Sequence, residues 1–475
     1  MNKQTKEIAQ NVYYTILANM TTMVISILTT LFVPKMISIT DYSYWQLYIF
    51  YSSYSGLLQL GWLDGIYLKL GGSEYDELDK KNLGTQFWYL IFFEICISIL
   101  IGIIFNFVAS DPNQELIILF TLIASVISIG RAFIQYILQA TNRIREYSRL
   151  VKSDRYVYII AILIYFLLGG RSYIALIMID IVSRFLLLIL SMTTISDIVF
   201  NKLLSLKNII KEIIENCKIG LNLMLANIAS QLIIGSIRFF VKDQWSIETF
   251  GTLSLSLNIS NMFLTFVGAV GIVIFPILRR INNERLKEVY TLARKLFVPL
   301  ALLILIFYYP GSKLLSLWLP EYKISLNYLG ILFPMIFYEG RMSLLVNPYM
   351  KSMRMEKKIL KVNIVTLVMT LILSLIAVYG FRNLYFTVVV IILSLAFRAI
   401  YAELILGKEL GLNLVKENIK ETLLIVIFIF MNLYFTDGIS FIVYFIVLLI
   451  YFYTEKDTLL ESFNRMKKII GQKKK

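Results

Sequence analysis

A chain of 475 residues that is 58% apolar and only 16% charged departs from soluble domains, where about a quarter of residues carry charge, so its solvent is mostly lipid. Its net charge of +15 is spread in short clusters between apolar segments, which argues against a basic nucleic-acid-binding domain. With no histidine, and with Cys96 and Cys217 lacking metal-ligand spacing, the chain offers no zinc site, disulfide framework or histidine acid/base chemistry, and no metal or cofactor is expected.

The first ten residues are polar and the apolar stretch after them is too long for the core of a leader peptide, so the first span is expected to remain in the protein. A bilayer core of about 30 Å needs roughly 20 mostly apolar residues per helix. In chain order such segments fall near 12–34, 44–68, 85–107, 115–140, 156–170 and 172–195, then near 218–241, 249–278, 290–317, 325–348, 359–381 and 384–406. Two more, 422–436 and 438–453, are short for full spans, and a shallow hairpin is the alternative there. The predicted fold is an all-α integral membrane protein of about 14 helices.

Basic residues orient these segments, because cytoplasmic loops carry the positive excess. The N-terminus, the loops 69–84, 141–155, 196–218, 279–295, 349–361 and 407–420, and the tail from 454 together hold 35 Lys and Arg, whereas the seven loops between them hold six. Such alternation predicts an even number of spans with both termini in the cytoplasm. No outer loop is long enough to hold the donor and acceptor of a membrane glycan polymerase, so an enzyme is not expected.

Displacing the chain by 208 residues lays Leu17-Ala18-Asn19 on Leu225-Ala226-Asn227 and Phe32-Val33 on Phe240-Val241. Nearby offsets lay Gly130-Arg131 on Gly340-Arg341 and Arg184 on Arg398. The same order at nearly one offset predicts a duplicated six-helix unit whose copies enter the membrane the same way up. The expected organisation is an N-terminal lobe (1–195), a linker (196–217), a C-terminal lobe (218–406) and a C-terminal helix pair with a basic tail (407–475). In the linker, Phe200, Leu203, Leu206, Ile210, Ile213 and Ile214 at helical spacing alternate with Lys202, Lys207 and Lys211. This pattern reads as an amphipathic helix on the anionic leaflet, or else as a polar connection.

Several segments carry a family likeness: Ile219-Gly220-Leu221, the turn from Arg238 to Trp245, Glu248-Thr249-Phe250-Gly251, Asn258-Ile259-Ser260-Asn261, Pro276-Ile277-Leu278-Arg279 and Trp318-Leu319-Pro320-Glu321-Tyr322. The chain resembles the polysaccharide transporters and O-antigen flippases of the multidrug/oligosaccharidyl-lipid/polysaccharide exporter (MOP) superfamily. The resemblance implies two six-helix lobes working by alternating access in a bacterial plasma membrane. It also implies a lipid-linked oligosaccharide on an undecaprenyl pyrophosphate carrier as substrate, membrane lipid as partner, and no nucleic acid. A coupling ion, Na+ or H+, stays open, as does the rival reading of a multidrug or small-ion antiporter on the same scaffold.

Five arginines fall inside the expected spans: Arg131, Arg184, Arg238, Arg341 and Arg398. A charge at a helix centre costs about 2.5–3.5 kcal/mol on insertion scales, so it faces a cavity, pairs or snorkels. Arg238 is near the outer end of its span, where snorkelling suffices. Asp180 and Arg184, four apart, suit a local ion pair. Glu339 and Arg341, two apart, and Arg398 and Glu403, five apart, do not share a helical face, and Arg131 has no acid in its own span. Two readings follow. Either acids such as Glu94, Glu339 and Glu403 neutralise these arginines from other helices, or a cationic cavity of Arg131, Arg184, Arg341 and Arg398, with Asp180 and Glu339, binds the substrate pyrophosphate through guanidinium forks.

Overall fold

The computed structural model describes the backbone of residues 3–106, 111–278 and 283–472. Arg279 and Arg280, at the end of the Pro276 motif, lie outside the described residues. Among the described residues there are helices and turns but no strand. The chain divides into two compact units, Met1–Ile228 and Ala229–Lys475.

The first unit contains α1 (Lys3–Met36), α2 (Ile39–Ser52), α3 (Trp62–Leu70), α4 (Lys80–Asn106), α5 (Pro112–Ala140), α6 (Ile144–Leu167), α7 (Tyr173–Thr194) and the short α8 (Ser196–Val199). Its core helix is α5, which packs against α2, α3, α4 and α7, while α1 lies along α6. The start of α5 is fixed chemically: Asp111 accepts from the Asn113 N–H and Pro112 occupies the first turn, where its missing N–H costs nothing. At the opposite end of the unit, Asp197 bonds Lys80 at 2.8 Å and accepts from the Tyr75 hydroxyl at 2.6 Å. Partial burial opposes its ionisation, but these two partners hold the carboxyl below its usual range.

The expected span 44–68 is not one helix. It breaks between Ser52 and Trp62, where Leu60 (φ 51°) and Gly61 (φ 80°) adopt left-handed backbone that ends a right-handed helix. The reversal lays α3 on a long helix from much later in the chain, α9 (Leu206–Gln244). Their backbones nearly touch: a Cβ on Gly65 would lie 1.8 Å from the Asn216 carbonyl oxygen, and one on Gly220 would lie 2.0 Å from that of Gly61. Around this crossing, Gln86 accepts from the Trp62 indole at 2.8 Å and from the Asn216 amide at 2.9 Å, and Gln59 donates to Asp64 at 2.7 Å.

The linker also departs from expectation. Residues 206–217 are not a separate surface helix but the first turns of α9, continuous with the seventh expected span. Phe200, Leu203, Leu206, Ile210 and Ile214 are exposed, as an interfacial face requires, but Ile213, expected on that face, enters the core with Ile209, one turn before it on the packed side of α9.

In the second unit, α9 continues into α10 (Ile247–Leu278), α11 (Asn283–Ile304), α12 (Tyr308–Trp318), α13 (Lys323–Leu332), α14 (Met335–Arg341) and α15 (Asn347–Ser352). There follow α16 (Glu356–Leu375), α17 (Leu384–Leu410), α18 (Val415–Tyr434) and α19 (Asp437–Gln472). The tenth expected span bends by 47° between α13 and α14, at Pro334, which cannot donate to the preceding turn. A π turn, Met342–Val346, follows Arg341. Helix α17 ends at Gly411 in left-handed conformation.

Among the described residues nine helices are long and apolar enough to cross a bilayer, or ten with the bent pair, so the count of fourteen is not reached by this measure. Helix α6 drops out because Arg145, Arg149, Lys152, Asp154 and Arg155 lie inside it. The last pair is longer than expected, since α18 has 20 residues and the apolar part of α19, Asp437–Asp457, has 21. Charged residues explain both: Lys416, Glu417, Lys420 and Glu421 open α18, and Glu455, Lys456 and Asp457 close the apolar part of α19, so an apolar window starts late in the first and stops early in the second.

Candidate functional site: buried ion pairs

All four arginines of the expected cavity are paired with carboxylates. In the first unit, Arg131 on α5 reaches Asp154 on α6 at 3.1 Å, and Arg184 on α7 holds Asp180 one turn back at 2.8 Å. Asp180 also accepts from the Tyr48 hydroxyl on α2, and Arg184 donates to Ser128 on α5 at 2.8 Å. The charge therefore joins four helices. It is incompletely enclosed, because the Arg184 side chain stays 27% exposed and that of Asp154 19%.

In the second unit, Arg294 on α11 and Arg341 on α14 alternate with Glu403 on α17 and Glu421 on α18. Arg294 lies 2.8 Å from Glu403 and 2.8 Å from Glu421. Arg341 lies 2.9 Å from Glu403 and also bonds Glu421 and Asn418. Tyr290 donates to Glu403 at 2.7 Å. Two cations and two anions close a ring with no net charge, and Arg341 is only 1% exposed. Such a ring satisfies the desolvated charges locally. Outside it, Arg398 on α17 reaches Glu339 on α14 at 3.2 Å.

The acids named from the sequence thus divide. Glu339 and Glu403 neutralise arginines; Glu94 does not, since both its oxygens are buried without a partner. Of the partners that the sequence does not single out, Asp154 and Arg294 fall in the expected cytoplasmic loops 141–155 and 279–295, and Glu421 falls between the expected loop 407–420 and the span that starts at 422. A signal existed for Glu421: Asn418, Glu421, Ile425 and Phe428 share the buried stripe of α18 at helical spacing. Arg238 donates to Ser254 at 2.9 Å and stacks over Phe250.

A cavity of about 990 Å³ lies between α4 and α5, but none of these charges lines it. Its walls include Ile99, Ile103, Leu119 and Ile123, all exposed, so this hollow faces lipid.

The model of one family, described as polysaccharide biosynthesis protein, matches residues 65–316, more than half of the chain. The chain belongs to this polysaccharide biosynthesis family. Solved structures give the fold of this family member. The lipid II flippase MurJ in an inward closed conformation matches with TM-score 0.65 at 14% identity, over 94% of this chain and 100% of that one. An inward-facing multidrug resistance MATE transporter of the MOP superfamily matches with TM-score 0.63 at 13% identity, over 83% and 98%. A MOP superfamily transporter from Pyrococcus furiosus, whose binding pocket is described as having reverse polarity, matches with TM-score 0.53 at 12% identity, over 84% and 95%. A search of curated proteins finds no match. The family member therefore has a MOP-type fold, and the proteins it resembles are transporters rather than enzymes.

Proposed function

We propose that this protein transports a lipid-linked oligosaccharide, carried on undecaprenyl pyrophosphate, from the cytoplasmic to the outer leaflet of a bacterial plasma membrane by alternating access. Membership of the polysaccharide biosynthesis family is the observation that carries the reading. The N-terminal unit supports it: Arg131 is buried and Arg184 half-buried among helices, yet each has a single carboxylate partner, so an anion can compete for them. The lobes are proposed as 1–195 and 218–406, joined by 196–217 and followed by the helix pair 407–475. In this reading the C-terminal ring orders its unit, and its Arg341, like Arg398, meets the substrate only after exchanging carboxylate partners.

The test is reconstitution with fluorescent lipid-linked oligosaccharide, scoring arrival in the opposite leaflet. Compared at equal amounts of protein, Arg184→Ala is expected to lose flipping by about ten- to a hundred-fold, the value of a charge-assisted hydrogen bond. Full abundance with full flipping for Arg131→Ala, Arg184→Ala and Arg398→Ala would remove the arginines from the mechanism. Topology is tested separately. Reporters after Lys152, Lys211, Arg285 and Lys358 are expected in the cytoplasm and those near Pro112 and Tyr322 outside, and a single reversed reporter breaks the assignment.

One observation favours a second reading, a small-ion-coupled exporter. Glu94 is a fully buried carboxyl with no partner among the described residues, the kind of group that takes up a proton or Na+. Flipping that does not change on Glu94→Gln, at any imposed pH or Na+ gradient, counts against coupling there.

A further inference from the structure

One stripe of α4 faces α5, and its character changes part-way along. Leu83, Phe87 and Leu90 follow one another at helical spacing, large and buried, and the Phe87 ring meets Phe133 of α5 edge-on, with 5.4 Å between centroids. The next positions on the stripe are Glu94, Ser98 and Gly102. Side chains so small or polar do not fill the space that Phe87 and Leu90 fill, and the cavity of about 990 Å³ opens at this level, with Ser98 and Gly102 in its wall.

The rest of the wall is mostly aliphatic and calls for an apolar occupant, but two features set the hollow apart from a resting place for a lipid tail. The first is a polar floor. Ser98 is 8% exposed, and its Oγ has no hydrogen-bond partner among the described residues. Glu94, one turn along the same stripe and about 5–6 Å away between Cβ atoms, is fully buried, and both its oxygens lack a partner as well. A hydrocarbon chain would leave these groups unsatisfied where no water reaches them. The second feature is charge of one sign. The described wall holds no Lys or Arg, and its single charged residue is Glu115, in the first turn of α5. Ser98 lies about 12 Å along the axis from the Asn106 end of α4, the end at which α5 begins. An occupant therefore meets one carboxyl at the mouth of the hollow and another beside Ser98.

We propose that this hollow binds a lipophilic cation, an amphiphile with one primary ammonium head and an apolar body, which enters from the surrounding lipid. The ammonium donates to Ser98 and Glu94, and the Glu94 charge offsets the cost of a cation in hydrocarbon. The body lies between α4 and α5 against Ile99, Leu119 and Phe185. The site shares no residue with the arginine pairs and does not depend on what the protein transports.

The test uses the full-length protein in nanodiscs and a photoreactive long-chain primary amine, with the alcohol and the carboxylic acid of the same chain beside it. Labelled peptides are located by mass spectrometry, and competition by the plain amine gives an affinity. The amine is expected to label α4 and α5 between Ile95 and Ile127 saturably, about ten- to a hundred-fold more tightly than the alcohol, the value of a charge-assisted hydrogen bond. Glu94→Gln is expected to bring the amine down to the level of the alcohol. Ser98→Leu, which fills the hollow, is expected to weaken all three, and Ile160→Ala on the exposed side of α6 none. Because leucine removes an unsatisfied hydroxyl, that variant is expected to melt no lower than wild type, and it carries the comparison should Glu94→Gln melt lower. Equal affinity for the three head groups means that any lipid chain fills the hollow and overturns the proposal. Amine affinity unchanged by Glu94→Gln, or by Ser98→Leu, overturns it too. Flipping enters none of these readouts, so each outcome leaves the transport reading to its own test.

Discussion

Replacing Arg341 by alanine is expected to destabilise the C-terminal unit by about 3–5 kcal/mol, the usual cost of removing one partner of a buried ion pair. The ring explains the size. Without Arg341, Glu421 and Glu403 share Arg294 alone, leaving one carboxylate in excess in a site where Glu403 is fully buried. Membrane abundance and the melting midpoint in detergent should both fall. Removing the surplus acid as well, in Arg341→Ala with Glu421→Ala, leaves Arg294 and Glu403 as a neutral pair and is expected to restore most of the loss. Lysine at 341 keeps the charge but loses the fork that reaches both Glu403 and Glu421, so its effect should be intermediate. A wild-type melting midpoint for Arg341→Ala would show that the ring does not hold the unit. If that variant also lost flipping, Arg341 would instead belong with the substrate-binding arginines.

Alanine at Gly65 is the second change with a large expected effect. The added methyl would sit 1.8 Å from the Asn216 carbonyl oxygen, which belongs to the backbone of α9 and cannot swing aside as a side chain does. Helix α9 would have to move away by more than an ångström. That displacement would also stretch the bond from Asn216 on α9 to Gln86 on α4. Overpacking of this kind costs about 1–3 kcal/mol, and more where rigid elements must separate. Gly220→Ala meets the same obstacle from the other side, at the Gly61 carbonyl. Gly56→Ala is the control, since nothing lies within 4 Å of its Cβ position. Equal melting midpoints for Gly65→Ala and Gly56→Ala would mean that the close crossing of α3 and α9 is not maintained in the membrane.

By itself the sequence determined the solvent, the helical class and the family likeness. Each depends on local quantities: the length of apolar segments, the distribution of Lys and Arg between them, and short motifs near residues 218–280. It also singled out four arginines that have to be compensated, because the cost of a charge in hydrocarbon is a property of the residue and its depth. The partners were another matter. Asp154 and Arg294 fall in expected loops, and Glu421 just outside an expected span, because a hydropathy window sees an isolated charge, whereas burial depends on whether an opposite charge from a distant segment meets it. Arg341 finds Glu403 and Glu421 across separations of 62 and 80 residues, and only packing decides that. The same holds for the broken span near Gly61. Its residues are apolar enough to continue as a helix, and the left-handed backbone at Leu60 and Gly61 is stabilised by what α3 then touches on α9.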